Sequence, residues 1–311
     1  MSAIEMGEEF YDRGRFDLRY KAFLEMVSAD RARLHRYCAR MTGSVLDGED
    51  VMQEALFEAY RKLDHLQSEQ SLGPWLHRLV HNRCIDFIRS RTVRRAKEAA
   101  AAEPDVAPAT AIFGHDVSRA LERLVIGLPP KERACVLLKD VFDYNLNEIA
   151  ELVGSTPGGV KAALHRGREK LTAMPPKPAN EIKTERGLLD LHALYVDRFN
   201  RQDWDGLRNL IHDDARLMIT DVYAGRALRA YFVRFEEMPF QRDLVSGFLD
   251  NEPVLVLLGG VVREMVPSAV IRLEADVSGI ALIRHYSNCP WIFALADSLE
   301  LKPALITGRL H

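Results

Sequence analysis

Leu146 to Arg168 reads LNEIAELVGSTPGGVKAALHRGR, and the spacing of its apolar residues decides the fold of the middle of the chain. Leu146 to Val153 is amphipathic at helical period, with Ile149, Ala150 and Val153 on one face. Gly154-Ser155-Thr156 breaks that helix; Thr156 is a good N-cap, and Pro157 suits the first position of a second helix. There Val160, Leu164, Gly167 and Leu171 fall at i, i+4, i+7 and i+11 and pack inward, leaving Lys161, His165, Arg166, Arg168 and Lys170 largely on the other side. Helix, glycine turn, helix with cations on the second member fits a DNA major groove, with side chains at base edges and flanking cations on phosphates. Taken alone, the pattern also suits a surface helix with solvated charges.

An independent constellation lies upstream. From Pro74 to Arg91 (PWLHRLVHNRCIDFIRSR), Leu76, Leu79, Val80, Cys84, Phe87 and Ile88 recur as an apolar stripe, while His77, Arg78, His81, Asn82, Arg83 and Arg89 project elsewhere. Between His77 and Lys97 the basic residues Arg78, Arg83, Arg89, Arg91, Arg94, Arg95 and Lys97 face Asp86 as the one acid, a local patch suited to phosphates. The preceding segment, Gln67 to Gly73, ends at Pro74-Trp75 and sets polar groups beside an indole, a combination that catches unstacked bases. Further upstream, DVMQEALFEAYRKL (Asp50 to Leu63) buries Val51, Met52, Ala55, Ala59 and Leu63. Gln53, Phe57 and Tyr60 then form a second face beside Asp50 and Glu54, read either as a protein-docking surface or as a second buried face.

These segments divide the chain into blocks. Residues 16–94 are helix-patterned; 95–115, with the Ala, Glu and Pro-rich run Ala96 to Pro108, read as a flexible linker; 116–174 are helical again. Three prolines in Pro175-Pro176-Lys177-Pro178 end that block and open a spacer, 175–185. In 186–303 a helix from Arg186 to Phe199 gives way to β-rich runs at Leu217 to Thr220, Pro253 to Leu258, Ser268 to Leu273 and Ile280 to Tyr286, an α+β pattern. The expected architecture is therefore multidomain: two all-α domains, then one α+β domain.

Composition narrows the class. The 311 residues are 47% hydrophobic and 28% charged, an ordinary globular balance, and a net charge of −3 excludes a chain that grips DNA by bulk electrostatics. The longest uncharged run, His285 to Ala296, is too short for a spanning helix of roughly 20 residues. An acidic start, Met1 to Phe10, lacks the pattern of a signal peptide, so the expected location is the cytoplasm. Cys38, Cys84, Cys135 and Cys289 are too scattered for a local metal knuckle and read as reduced core thiols; neither metal nor cofactor is called for.

Both helical blocks, in this order, resemble a bacterial sigma factor of the extracytoplasmic-function group, built of sigma regions two and four, over Phe16 to Met174. The carriers are Gly48-Glu49-Asp50-Val51-Met52-Gln53-Glu54, Pro74-Trp75-Leu76 through Asp86-Phe87-Ile88-Arg89, Leu128-Pro129-Pro130-Lys131-Glu132-Arg133, and Gly159-Val160-Lys161 through Leu164-His165-Arg166-Gly167-Arg168. The resemblance implies that Asp50, Gln53, Glu54 and Phe57 dock on core RNA polymerase. It implies that the Gln67 to Trp75 loop, with Trp75, Asn82, Arg83 and Arg89, opens and holds a single-stranded −10 element. Thr156, Lys161, His165, Arg166 and Arg168 would face a duplex −35 element. Because polymerase supplies much of the grip, the free protein is expected to bind promoter DNA weakly.

The third block resembles a SnoaL-like domain, a cone-shaped α+β fold shared with ketosteroid isomerases. The carriers are Leu188, Leu191, Tyr195 and Phe199 on one helix, Asp203-Trp204-Asp205-Gly206-Leu207, Ile211-His212-Asp213-Asp214-Ala215, and Tyr223-Ala224-Gly225-Arg226 before a further helix. The resemblance implies a cone that Asp221, Tyr223, Tyr231, His285 and Tyr286 would line, with Asp213 and Asp214 at a turn, and a regulatory domain acting in cis, with a small ligand in the cone as candidate effector. Two other classes stand beside this one: an isomerase or hydrolase working in the cone, which needs a polar group of shifted pKa in a pocket, and a regulator using the helix-turn-helix without polymerase.

Overall fold

The computed structural model describes residues 18–63, 72–101, 127–173, 186–221, 231–233, 235, 242–261, 264–276 and 279–302. They fall into two compact units, one carrying the described residues up to 173 and the other those from 186 onward. Both helical blocks belong to the first unit.

That unit opens with helix α1 (18–26), then α2 (Ser28–Thr42), α3 (Val45–Lys62) and α4 (Leu72–Ala101). Gly43 at φ 86° ends α2 in the left-handed region, and Ser44 starts α3 by accepting a hydrogen bond from the Asp47 amide at 3.2 Å. Leu34, Cys38, Met41, Leu46, Met52, Leu56, Leu76, Val80 and Cys84 form the core between these helices. Gly48 permits it: a Cβ there would sit 2.5 Å from the Ala39 amide nitrogen, so α2 and α3 cross at backbone contact. Helix α4 continues through Arg94-Arg95-Ala96-Lys97-Glu98-Ala99-Ala100-Ala101 into the expected linker, because that run consists of strong helix formers. The rest of the linker, like residues 64–71 of the expected base-catching loop, lies outside the described residues.

The second block consists of α5 (Pro130–Val136), a π-helical turn (Leu137–Val141), α6 (Leu146–Leu152) and α7 (Pro157–Ala173). Asn145 and Glu148 close a capping box at the start of α6. Gly154 turns at φ 60°, and the Thr156 hydroxyl caps α7 by accepting from the Gly159 amide at 3.1 Å. The expected helix-turn-helix is thus present with its expected caps. This block touches the first through Arg133, which is 4% exposed and donates to the Met41 carbonyl, and through Phe142 and Tyr144.

The second unit is α+β: α8 (Arg186–Asn200), α9 (Trp204–Arg208), α10 (Pro290–Leu295) and a six-stranded sheet of order β1-β5-β4-β3-β2-β6. The strands are β1 (Ile211–Ile219), β2 (Arg242–Leu249), β3 (Glu252–Val261), β4 (Glu264–Asp276), β5 (Gly279–Ser287) and β6 (Leu299–Leu301). Strand β1 runs parallel to β5; every other pairing is antiparallel. Tyr195 and Phe199 of α8 pack with Leu217, Leu244, Leu257, Ile271 and Ile283 of the sheet. Asn200 fastens helix to sheet, its side chain exchanging two 2.9 Å hydrogen bonds with the Leu244 backbone. Asp213 and Asp214 do not cap a turn: they are exposed in β1, at an irregularity between Ile211 and Arg216, where the strand's outer edge leaves both carboxylates in water.

Candidate nucleic-acid and polymerase interface

Helix α7 turns Val160, Ala163, Leu164 and Gly167 inward and leaves Lys161, His165, Arg166 and Arg168 exposed. Gly167 lets α7 lie against α5, since a Cβ there would come within 2.9 Å of Val136 Cγ2. Beside α7 an open cleft of ≈ 1170 Å³ is lined by Lys139, Asn145, Lys161, His165, Arg168 and Glu169 among others, so four basic side chains and one carboxylate share one concavity. That is the arrangement a phosphate backbone meets when a helix enters its groove.

The cations are not equally available. Glu132 of α5, 6% exposed, takes Arg166 Nε on one oxygen at 2.9 Å and Lys170 Nζ on the other at 2.7 Å. Burial pushes the Glu132 carboxyl up, but the hydrogen bonds and charges of Lys170 and Arg166 override it and hold the group below the usual carboxylate range. Arg168 makes a two-point contact with Asp140, at 2.5 and 3.1 Å, and His165 lies 3.7 Å from Glu169. Lys161 stands exposed one turn into α7, near the capped N-terminus. Arg166 and Lys170 therefore brace α7 on α5, and the side chains toward the N-terminal half of α7 carry more of the outward contact. Glu132 and Asp140 were not legible as site residues, since nothing local in sequence pairs them with cations 28 to 38 positions away.

On α4, Trp75, Arg78, Asn82 and Arg89 fall at i, i+3, i+7 and i+14 along one outward stripe, with Trp75 half-buried and the other three exposed. Arg83 is drawn back: its guanidinium meets Glu58 at 2.6 and 2.7 Å, and Glu58 also receives Lys62. Arg91 is likewise tied, to Asp47 at 3.0 Å and the Thr42 carbonyl at 3.4 Å. His81, expected to project, is buried and shares a 2.8 Å hydrogen bond with Tyr37.

On the second face of α3 the structure favours the buried reading for the aromatics. Tyr60 is buried and Phe57 half-buried, because Tyr20 of α1 stacks on Phe57 at 4.9 Å and meets Tyr60 edge-on at 5.2 Å. The aromatic stripe is thus largely covered by α1, a long-range contact that helical period alone does not reveal. Glu54 remains exposed, Asp50 and Gln53 are half-buried, and Gln53 donates to Glu49 at 2.7 Å.

In the second unit Tyr231 and His285 come together, hydroxyl to Nδ1 at 3.0 Å, with Phe235 stacked on the imidazole at 6.1 Å. Asp221 sits half-buried in the turn after β1 at φ 62°, Tyr286 is buried, and Tyr223 lies outside the described residues. The Tyr195 hydroxyl, at the apolar centre of this unit, has no hydrogen-bond partner among the described residues, and burial pushes its pKa well up. All four cysteines are free and buried. Among the described residues no helix is long and apolar enough to cross a membrane.

The family model Sigma-70 region 2 matches residues 26–94, and Sigma-70, region 4 matches 118–171. SigW of Bacillus subtilis, an ECF RNA polymerase sigma factor, is 30% identical over 162 residues that cover 48% of this chain and 87% of SigW. The chain belongs to the ECF RNA polymerase sigma factors. SigG of Mycobacterium tuberculosis, another ECF sigma factor, is 29% identical over 213 residues, 60% of this chain and 58% of SigG. Among solved structures, the extracytoplasmic function sigma factor SigJ of Mycobacterium tuberculosis aligns with 87% of this chain and 98% of its own, at 17% identity and a TM-score of 0.34. As an ECF sigma factor the protein serves promoter recognition in transcription initiation, and it does so by binding rather than by catalysis.

The brace on α7 gives a measurable expectation for this sigma factor. Glu132→Gln keeps the shape but loses charge opposite two cations, so it is expected to cost about 1 to 2 kcal/mol of stability and several-fold in promoter-dependent transcription. Urea melts and transcription assays with core polymerase check it; an unchanged melt removes the brace from the account.

Proposed function

We propose that the protein carries core RNA polymerase to promoters by dividing the work among three helices. On α3, Glu54 with Asp50, Gln53 and the edge of Phe57 docks on the polymerase. On α4, Trp75, Asn82 and Arg89 hold an opened −10 strand, with Arg83 holding α4 against Glu58. On α7, Lys161, His165, Arg166 and Arg168 face the −35 duplex, and Thr156 fixes the helix start that points at it. Duplex readout needs a helix in a groove, whereas melting needs groups that hold unstacked bases, and this division assigns α7 to the first task and α4 to the second. The single observation that carries the reading is α7 itself, seated on α5 by Gly167 with its basic flank over an open cleft.

The α+β unit modulates the sigma regions in cis, and the protein acts in the cytoplasm. The candidate effector of this unit is a small ligand; it biases regulation only insofar as it binds one arrangement better than another.

The test is transcription in vitro with core polymerase and a genomic promoter library, using the full chain and a chain ending at Asn180. Promoter-specific transcripts are expected from both. A more active truncated chain means that the α+β unit restrains the sigma regions, and a weaker one means that it supports them. Absence of transcripts from both sinks the reading.

A further inference from the structure

We infer that Cys38 and Cys84 form an oxidisable pair, which hydrogen peroxide joins in a disulfide that bolts α4 to α2. The inference stands on the packing of the helical unit and is independent of its use at a promoter.

Two sulfurs meet in the core of that unit. Cys38 lies on α2 and Cys84 on α4, 46 positions apart in sequence, with their Sγ atoms 3.7 Å apart and both residues at 0% exposure. A disulfide needs about 2.05 Å between sulfurs, so the gap has to close by about 1.6 Å. Small rotations about the two Cα–Cβ bonds, with a slight approach of the helices, supply that. The other two cysteines are placed differently. Cys135 is on α5, and Cys289 belongs to the α+β unit, where it donates to the Ser287 carbonyl at 3.3 Å.

At rest both thiols are reduced. One sulfur, as thiolate, attacks a peroxide oxygen; the O–O bond breaks, a sulfenic acid forms, and the departing hydroxide takes up the thiol proton as water. The second sulfur then attacks the sulfenic sulfur. The S–S bond forms, and the sulfenic oxygen leaves as a second water with the proton of the second thiol. Two thiols thus give up two electrons and two protons, and one peroxide becomes two waters. Burial, then the hydrogen bond and charge of Cys84, push the Cys38 thiol up, so the pair reacts slowly, through openings of the α2–α4 contact that a molecule of about water's size can enter. A partner thiol already in contact captures the sulfenic acid before a second peroxide arrives.

The bond acts on the unfolded chain as well as on the folded one. Closing a loop between residues 46 positions apart removes freedom from the unfolded ensemble, so the linked unit is harder to unfold. At about 100° per residue, Trp75, Asn82 and Arg89 lie about 140° to 180° around α4 from Cys84. The bond therefore fastens α4 from behind and leaves its outward stripe untouched.

The test treats the reduced full chain with hydrogen peroxide in native buffer, at a level that oxidises the same cysteines in urea. Catalase ends the reaction, remaining thiols are alkylated in urea, and the peptides are mapped. One intrachain link is expected, between the peptides holding Cys38 and Cys84, with the mass lower by two hydrogens and restored by dithiothreitol. The urea midpoint of the helical unit is expected to rise by about 1 M in the linked chain. Cys84→Ala should abolish both the link and the shift, and Cys135→Ala should keep both. Cys38 and Cys84 recovered without a link, as alkylated thiols or as sulfinic acids, overturn the pair. So does a link that forms only in urea, or one that joins either residue to Cys135 or Cys289. A linked chain whose midpoint stays where it was overturns the bolt. Mapping and melting the unsubstituted chain decide both points even if Cys84→Ala does not fold.

Discussion

Between pH 7.5 and pH 5 the helical unit is expected to lose about 6 kcal/mol of stability, enough to unfold a domain whose margin lies at roughly 5 to 15 kcal/mol. Three of its histidines, His35, His77 and His81, have pKa values lowered from 6.5 to about 4. Burial is the main cause in each. Arg31 adds to it at His35, against a 2.8 Å bond to the Val45 carbonyl; Arg33 adds to it at His77, against Asp30. A folded pKa below the unfolded one means that the unfolded chain binds protons first. Stability is therefore full above pH 6.5 and falls as pH drops toward 4. At pH 5 each histidine contributes about 2 kcal/mol of that loss. Glu58 and Glu132, held below the usual carboxylate range by their cations, act in the same direction only at lower pH, so pH 5 isolates the histidines. Urea melts followed by helical circular dichroism at pH 7.5, 6 and 5 check the expectation, and His81→Gln should remove about a third of the slope. A midpoint that does not move between pH 7.5 and 5 rules it out.

How much of this was legible in the sequence depends on how local each cause is. The helix-turn-helix was legible because Thr156, Pro157 and Gly154 act within a few residues of where they stand; α8 followed from its period and four strands from their β-rich runs. Strand β2 was missed because Ser246 and Gly247 interrupt its apolar run. The signal that marks it is Asp250-Asn251, both at positive φ (48° and 67°) in a two-residue turn closing the Leu249–Glu252 pair. Strand β6 has three residues and exists through its pairing with β2, so no local pattern announces it. The site followed the same rule. Residue types on α4 and α7 could be read, but which cations stay free is set by Glu58, Glu132 and Asp140 on other helices. The aromatics of α3 stayed open between two readings for the same reason, because Tyr20 arrives from α1 to cover them.

Glu49 and Glu54 lie on the same helix within one motif, and their substitution is expected to separate structure from function. The Glu49 side chain is fully buried; it stands 3.7 Å from the Arg31 guanidinium and accepts from Gln53 at 2.7 Å. His35 lies 4.0 Å away but is neutral at pH 7, so that contact is no ion pair there. Glu49→Ala removes the carboxylate opposite a guanidinium that is itself 6% exposed, and the expected cost is about 3 kcal/mol, because the residual buried charge is the penalty. Replacing both partners by apolar groups, Glu49→Leu with Arg31→Met, should recover most of it, since the desolvation of two charges is then avoided. Glu54→Ala, at an exposed position, should leave the urea midpoint unchanged within about 0.5 kcal/mol while weakening the affinity for core polymerase. The two readouts cross: the buried carboxylate moves the melt, and the exposed one moves polymerase binding. If Glu54→Ala moved the melt and left polymerase affinity intact, the outward face of α3 would be part of the core, and the polymerase would have to dock elsewhere.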